Sequence, residues 1–225
     1  MADKPLVRVH GSRIADAERR MMLGVAARLP GWVTPDHMTL MSLGGAALCF
    51  AGFVGGHLSQ GWLALAAIGL VLNWAGDSLD GNMARLRRIE RPRYGFYVDH
   101  TADVASQVLI FMGLALSPYV RFESGCLLLM AYWLAALFTF IRALAVGEFK
   151  ISYFAIGPTE IRIGLLAYIA SLATLGTLPL PTPFGARTAM DLIAIVIFTA
   201  VLATFVVLGV LETRRLGALD RRPEK

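Results

Sequence analysis

Four aspartates stand in two stretches that are otherwise nearly free of charge. Asp77 and Asp80 are three residues apart, and Asp99 and Asp103 are four apart. On a helix, those spacings bring side chains to one face, so each pair presents two carboxylates together. If Arg85–Arg88 mark a membrane interface, Asp77 lies about 12 Å inward, at about 1.5 Å per residue. A carboxylate at a bilayer centre costs about 2.5–3.5 kcal/mol, so four deep, unpaired ones would cost about 10–14 kcal/mol, and less at partial depth. The cations at hand are Arg85, Arg142 and Arg162, too few to balance the four. A divalent cation balances them, and hard cations take oxygen ligands. Two facing carboxylate pairs suit two metal ions about 3.5–4 Å apart, a clamp for phosphoryl transfer. Buried ion pairs, or an ion path in a membrane transporter, would use the same residues. The carboxylates alone weigh catalysis and transport equally.

The neighbouring residues shift that balance. The full arrangement is Asp77-x-x-Asp80-Gly81-x-x-Ala84-Arg85, nine residues, then Gly95-x-x-x-Asp99-x-x-x-Asp103. Gly81 and Ala84 share the helix face around Asp77 and Asp80, where small side chains leave room for a ligand. Arg85 supplies a forked donor suited to phosphate. Gly95 is expected to open the next helix one turn before Asp99.

This arrangement resembles the signature of the CDP-alcohol phosphotransferase (CDP-alcohol phosphatidyltransferase) family, and all eight specified positions are present. The resemblance extends to a six-span layout and an amphipathic N-terminal helix. It implies that Asp77, Asp80 and Asp99 ligate Mg2+ or Mn2+, with Asp103 completing a second metal site and acting as general base. Gly81, Ala84 and Arg85 would cradle the CMP part of the donor, with Gly95 and Thr39 beside it. The acceptor oxygen would attack the phosphorus distal to cytidine, and CMP would leave. Pro35-Asp36-His37-Met38-Thr39 is similar to the family's Pro-Asn-x-aliphatic-Thr segment, with Asp36 in place of Asn and Met38 in place of the aliphatic residue. A substrate contact and a plain helix cap are both open for Asp36.

The substrate stays open between two options. One is transfer from CDP-diacylglycerol to a small polar alcohol, the other transfer from a CDP-aminoalcohol to a lipid hydroxyl. His100 and the Gly157–Glu160 segment resemble the aminoalcohol branch, although a packing histidine and a carboxylate at a helix N-terminus explain the same residues. Arg142 and Arg162 suit an acceptor phosphate or a lipid headgroup, and equally suit membrane anchoring.

These residues need a membrane scaffold to hold them. The chain has 225 residues, 56% hydrophobic and 16% charged, against about 25% charged in soluble domains. Six helical spans are expected, at Met38–Gly56, Gly61–Arg85, Gly95–Ser117, Glu123–Val146, Glu160–Leu178 and Thr188–Leu211, each near the about 20 residues needed to cross hydrocarbon. No segment alternates with period two, which disfavours strands. Nineteen of the 21 Lys and Arg fall on one side of this layout. That places both termini and the site in the cytoplasm, and the expected location is a bacterial inner membrane.

The net charge of +5 is assigned to this asymmetry and not to nucleic acid. The first 37 residues contain no apolar core suited to a cleavable signal peptide. Ser12–Leu29 reads as an amphipathic helix along the headgroup layer, with Ile14, Met21, Met22, Val25 and Leu29 on one side and Glu18 interrupting it. Residues 1–225 read as one all-helical membrane domain, with an interfacial segment 1–36, a bundle 37–212 and a tail 213–225. Cys49 and Cys126 read as buried small hydrophobes, Tyr132 and Trp133 as packing residues. Family resemblance implies a homodimer.

Overall fold

Proline or threonine starts several of the long helices. The structure is a computed structural model and describes residues 7–9, 13–146, 148–150, 157–182 and 185–220. The helices are α1 (Arg13–Arg28), α2 (Pro35–Gly55), α3 (Leu63–Leu86), α4 (Pro92–Ala115), α5 (Phe122–Val146), α6 (Pro158–Leu175) and α7 (Ala189–Leu219). Pro35, Pro92 and Pro158 occupy first-turn positions, where the missing N–H is no loss and the fixed φ suits the helix. Thr34 caps α2 and Thr188 caps α7. These caps place several helix starts earlier than the apolar runs predict. In particular, Gly95 does not open α4, which begins at Pro92.

The far ends differ as well. Gly176, at φ 68°, stops α6 at Leu175, so residues 176–178 of the expected fifth span lie outside the helix. α7 runs on to Leu219, two turns past the expected Leu211. Among the described residues, four helices are long and apolar enough to cross a membrane: Pro35–Gly55, Gln60–Leu86 (a 3-10 turn plus α3), Phe122–Ala145 and Ala189–Leu219. α4, with Asp99 and Asp103, and α6, with Glu160 and Arg162, are less apolar.

Two short strand pairs, not expected from the sequence, join the connections. β1 (Val7–Val9) runs parallel to β2 (Glu148–Lys150), and β3 (Pro179–Thr182) runs antiparallel to β4 (Gly185–Thr188). They add three or four residues each to a helical chain with the character of a membrane protein.

α2 and α3 pack backbone against backbone. A Cβ built on Gly45 would lie 2.4 Å from the Asn73 nitrogen, one on Gly52 2.2 Å from that of Ala66, one on Gly69 2.3 Å from that of Cys49, and one on Gly76 2.5 Å from the Met38 oxygen. Small residues permit this approach, which drives helix association where lipid tails are as apolar as the side chains. Asn73 is buried here and donates to Ser42 Oγ at 2.9 Å, tying the same pair together. The main core joins Cys49 and Phe53 of α2, Leu63 and Leu70 of α3, Phe111 and Leu114 of α4, Leu128 of α5 and Leu172 of α6.

A second cluster seats α1 on the bundle. Met22 and Ala26 pack with Val33, Met38, Leu79 and Met83, while Met21 and Val25 are exposed. The apolar side of α1 is therefore divided between protein contact and an open surface. Arg87 fastens the end of this helix, donating to the carbonyls of Val33 (2.5 Å), Leu29 (2.8 Å) and Pro30 (3.1 Å).

Candidate active site

The turn between α3 and α4 brings the two aspartate pairs together. α3 ends at Leu86, Arg88 takes φ 57°, and the Ile89 N–H returns to the Ala84 carbonyl at 3.0 Å. Left-handed φ is uncommon for a non-glycine residue, and here it reverses the chain within five residues. One carboxylate oxygen each from Asp77, Asp99 and Asp103 then lies within 4.8 Å of the others. The Arg162 guanidinium, from α6, donates to Asp77 Oδ2 at 2.5 Å. Three half-buried carboxylates meet here, with the Arg162 guanidinium paired to one of them. An all-oxygen donor set fits a hard divalent cation.

Asp80 is not one of the three grouped carboxylates. It is 7% exposed. Its Oδ2 accepts from the Thr39 hydroxyl at 2.8 Å, and its Oδ1 from the Gly81 N–H at 2.5 Å. Thr39 is thus brought from α2 onto the cluster's edge. Arg85 folds over Gly81, since a Cβ there would meet Arg85 Nη1 at 3.4 Å, and its Nη2 donates to Asn82 Oδ1 at 2.9 Å. Ala84 is half-buried one turn beyond Asp80. Gly95 has open space where a side chain would stand.

The remaining expected contacts are spread further. Asp36 pairs with Arg91, whose guanidinium also stacks 4.1 Å from the Tyr94 ring centre. The hydrogen bond to Asp36 holds Arg91 above its ordinary pKa. His100 stacks on Phe96, with its Nδ1 2.9 Å from the Phe96 carbonyl and 3.4 Å from Asp99 Oδ2. Glu160 accepts from the Gly157 N–H at 2.9 Å, closing the first turn of α6. Arg142 is drawn to α7, where its Nε donates to Glu212 at 2.9 Å.

Beside the trio lies a cavity of about 30 Å³, lined in part by Asn73, Asp103, Ser106, Gln107, Tyr132 and Arg162, enough for about one water. Gln107 extends the series Asp99, Asp103 by a further four residues, a periodic signal that sequence reading passed over. Trp133 donates to Gln107 Oε1 at 2.9 Å, so Tyr132 and Trp133 do more than fill space. Ser106 Oγ is buried there without a partner among the described residues.

Residues 32–211 match the family model described as CDP-alcohol phosphatidyltransferase. That range holds the four aspartates, Arg162 and the cavity. The chain belongs to the CDP-alcohol phosphatidyltransferase family. Within this family, the chain is similar to an archaetidylinositol phosphate synthase of Methanothermobacter thermautotrophicus, 30% identical over 127 residues, which make up 56% of this chain and 60% of that protein. It thus spans less than two thirds of that relative's length. As a member of this family, the chain carries its carboxylate cluster on α3 and α4, with the Arg162 guanidinium of α6 paired to Asp77. Helix α1 lies outside the matched residues.

Proposed function

We propose that this chain transfers a phosphatidyl-type group from a CDP-activated lipid to a small polar alcohol that carries a phosphate, releasing CMP in phospholipid synthesis. The observation that carries this reading is the meeting of Asp77, Asp99 and Asp103 within 4.8 Å, beside Arg162, in a member of this family. Asp77, Asp99 and Asp103, with Asp80 next to them, would hold Mg2+ or Mn2+. A bound divalent cation supplies positive charge against the diphosphate of the donor. Gly81, Ala84, Arg85, Gly95 and Thr39 line the donor side. Asp103 takes the proton of the attacking hydroxyl, the hydroxyl oxygen bonds to the phosphorus distal to cytidine, and the bond from that phosphorus to CMP breaks.

The choice of donor follows from Arg162 and Glu160. Arg162 lies next to Asp103, and its guanidinium suits an acceptor phosphate brought to that edge of the cluster. Glu160 is engaged with the Gly157 N–H, which weakens its claim on an ammonium headgroup. The name of the similar synthase points the same way. Family membership also removes the ground for a transporter. His100, Asp36 and Arg142 are proposed as neighbours of the substrate path and not as its first contacts. The proposed setting is a single membrane domain over residues 1–225, crossing six times as a homodimer, with both termini and the site on the cytoplasmic side of a bacterial inner membrane.

The test is CMP release by purified protein with Mg2+ or Mn2+ and a matrix of substrates. CDP-diacylglycerol is offered with glycerol phosphate, inositol phosphate, serine and inositol, and CDP-choline and CDP-ethanolamine with diacylglycerol. Release with CDP-diacylglycerol and a phosphorylated alcohol is expected. Release only with CDP-choline or CDP-ethanolamine would overturn the donor assignment.

A further inference from the structure

We propose that Glu18 of α1 is a positioning residue that holds Asp77 and Arg162 in register, so that the interfacial helix forms part of the working site. This rests on the reading of the carboxylate cluster as the catalytic centre. Glu18 interrupts the apolar side of α1, an unfavourable place for a charge on a helix that merely lies on a membrane. Its surroundings account for it. Glu18 Oε1 accepts from Trp74 Nε1 at 2.7 Å and from the Ser78 hydroxyl at 2.5 Å, and its Oε2 accepts from the Thr159 hydroxyl at 2.5 Å. Three donors around one carboxylate are a strong, charge-assisted set.

Those donors belong to the two elements that build the cluster. Ser78 follows Asp77 directly on α3. Thr159 sits in the first turn of α6, one turn before Arg162, and Arg162 donates to Asp77 Oδ2 at 2.5 Å. Glu18, Ser78, Asp77, Arg162 and Thr159 therefore close a ring across α1, α3 and α6. Loss of Glu18 frees the start of α6 from α3 and lets the Arg162 guanidinium leave Asp77. Misplacing a catalytic constellation by about 1 Å costs about 10²-fold in rate. Glu18 lies outside residues 32–211, the part matched to the family.

The experiment uses the full chain in lipid nanodiscs, with Glu18→Ala, Glu18→Gln, Arg162→Ala and the double variant Glu18→Ala/Arg162→Ala. CMP release is followed for kcat and KM, and the indole N–H resonance of Trp74, assigned with Trp74→Phe, is followed by NMR. Glu18→Ala is expected to lower kcat about tenfold or more and to leave the donor KM within about twofold. Glu18→Gln, which keeps the acceptor for Trp74 and Ser78, should restore most of the rate. In the Arg162→Ala background, Glu18→Ala should cost less than about twofold, because coupled residues are non-additive. The Trp74 resonance should shift in Glu18→Ala. Should that variant fail to fold, Ser78→Ala and Thr159→Val each remove one arm of the ring and should give intermediate losses in kcat. An unmoved Trp74 resonance, an unchanged kcat, or losses that simply multiply with those of Arg162→Ala would each overturn the inference. Absence of CMP release by the unsubstituted protein with every donor would instead overturn the proposed function.

Discussion

Arg162 on α6 and Asp77 on α3 stand 2.5 Å apart, their side chains 13% and 19% exposed. The guanidinium offsets the charge of one member of the carboxylate trio, and the His100 ring stands 3.4 Å from another, Asp99. Removing one partner of a buried pair leaves an uncompensated charge, at a cost of about 3–5 kcal/mol. Arg162→Ala should therefore melt earlier in metal-free buffer and recover more of its Tm on addition of Mg2+ or Mn2+ than the unsubstituted protein does. Thermal unfolding with and without the ion measures this. An equal metal-induced gain in both proteins would separate Arg162 from the cation site.

Divalent metal should be required for turnover. A chelator is expected to abolish CMP release, and added Mg2+ or Mn2+ should raise Tm by an amount set by mass action on the native state. Asp77→Asn and Asp99→Asn should shrink that rise. Full turnover in chelator-treated buffer would sink the metal assignment.

Asp103 has a separable role as base. Asp103→Asn is expected to lose about 10²-fold or more in kcat while still binding the CDP donor, measured by titration of the folded variant. Near-normal turnover removes Asp103 from the proton transfer. Loss of donor binding as well would assign it mainly to holding metal.

The glycine contact between α2 and α3 should govern stability. Gly69→Ala puts a Cβ 2.3 Å from the Cys49 nitrogen, whereas the same change at Gly44 meets nothing within 4 Å. Overpacking of this kind typically costs about 1–3 kcal/mol. A clear fall in Tm for Gly69→Ala, with little change for Gly44→Ala, is the expected pair of results. Equal Tm values for the two would show that the helices separate without penalty.

Sidedness tests the proposed topology. With Cys49 and Cys126 replaced, Arg91→Cys and Gly185→Cys should be labelled from opposite sides of sealed vesicles. Labelling of both from one side contradicts the six crossings.

Much of the site is local and could be read without coordinates. Spacings of three and four on an apolar helix put Asp77 beside Asp80 and Asp99 in line with Asp103, and continuing that period one turn reaches Gln107. The eight-position pattern needs only the order of residues, and the family match agrees with it. The partners that cross between helices are another matter. Asp80 accepts from Thr39, 41 residues away, Arg142 is taken by Glu212, 70 away, and Arg162 reaches Asp77 across 85. Glu18 is an interruption in the sequence of α1, and its three donors come from α3 and α6. Helical periodicity specifies which face a side chain shares. Which helix lies against that face depends on how closely two backbones can approach, and for α2 and α3, which bring Thr39 to Asp80, that approach is permitted by Gly45, Gly52, Gly69 and Gly76 acting together in the folded bundle.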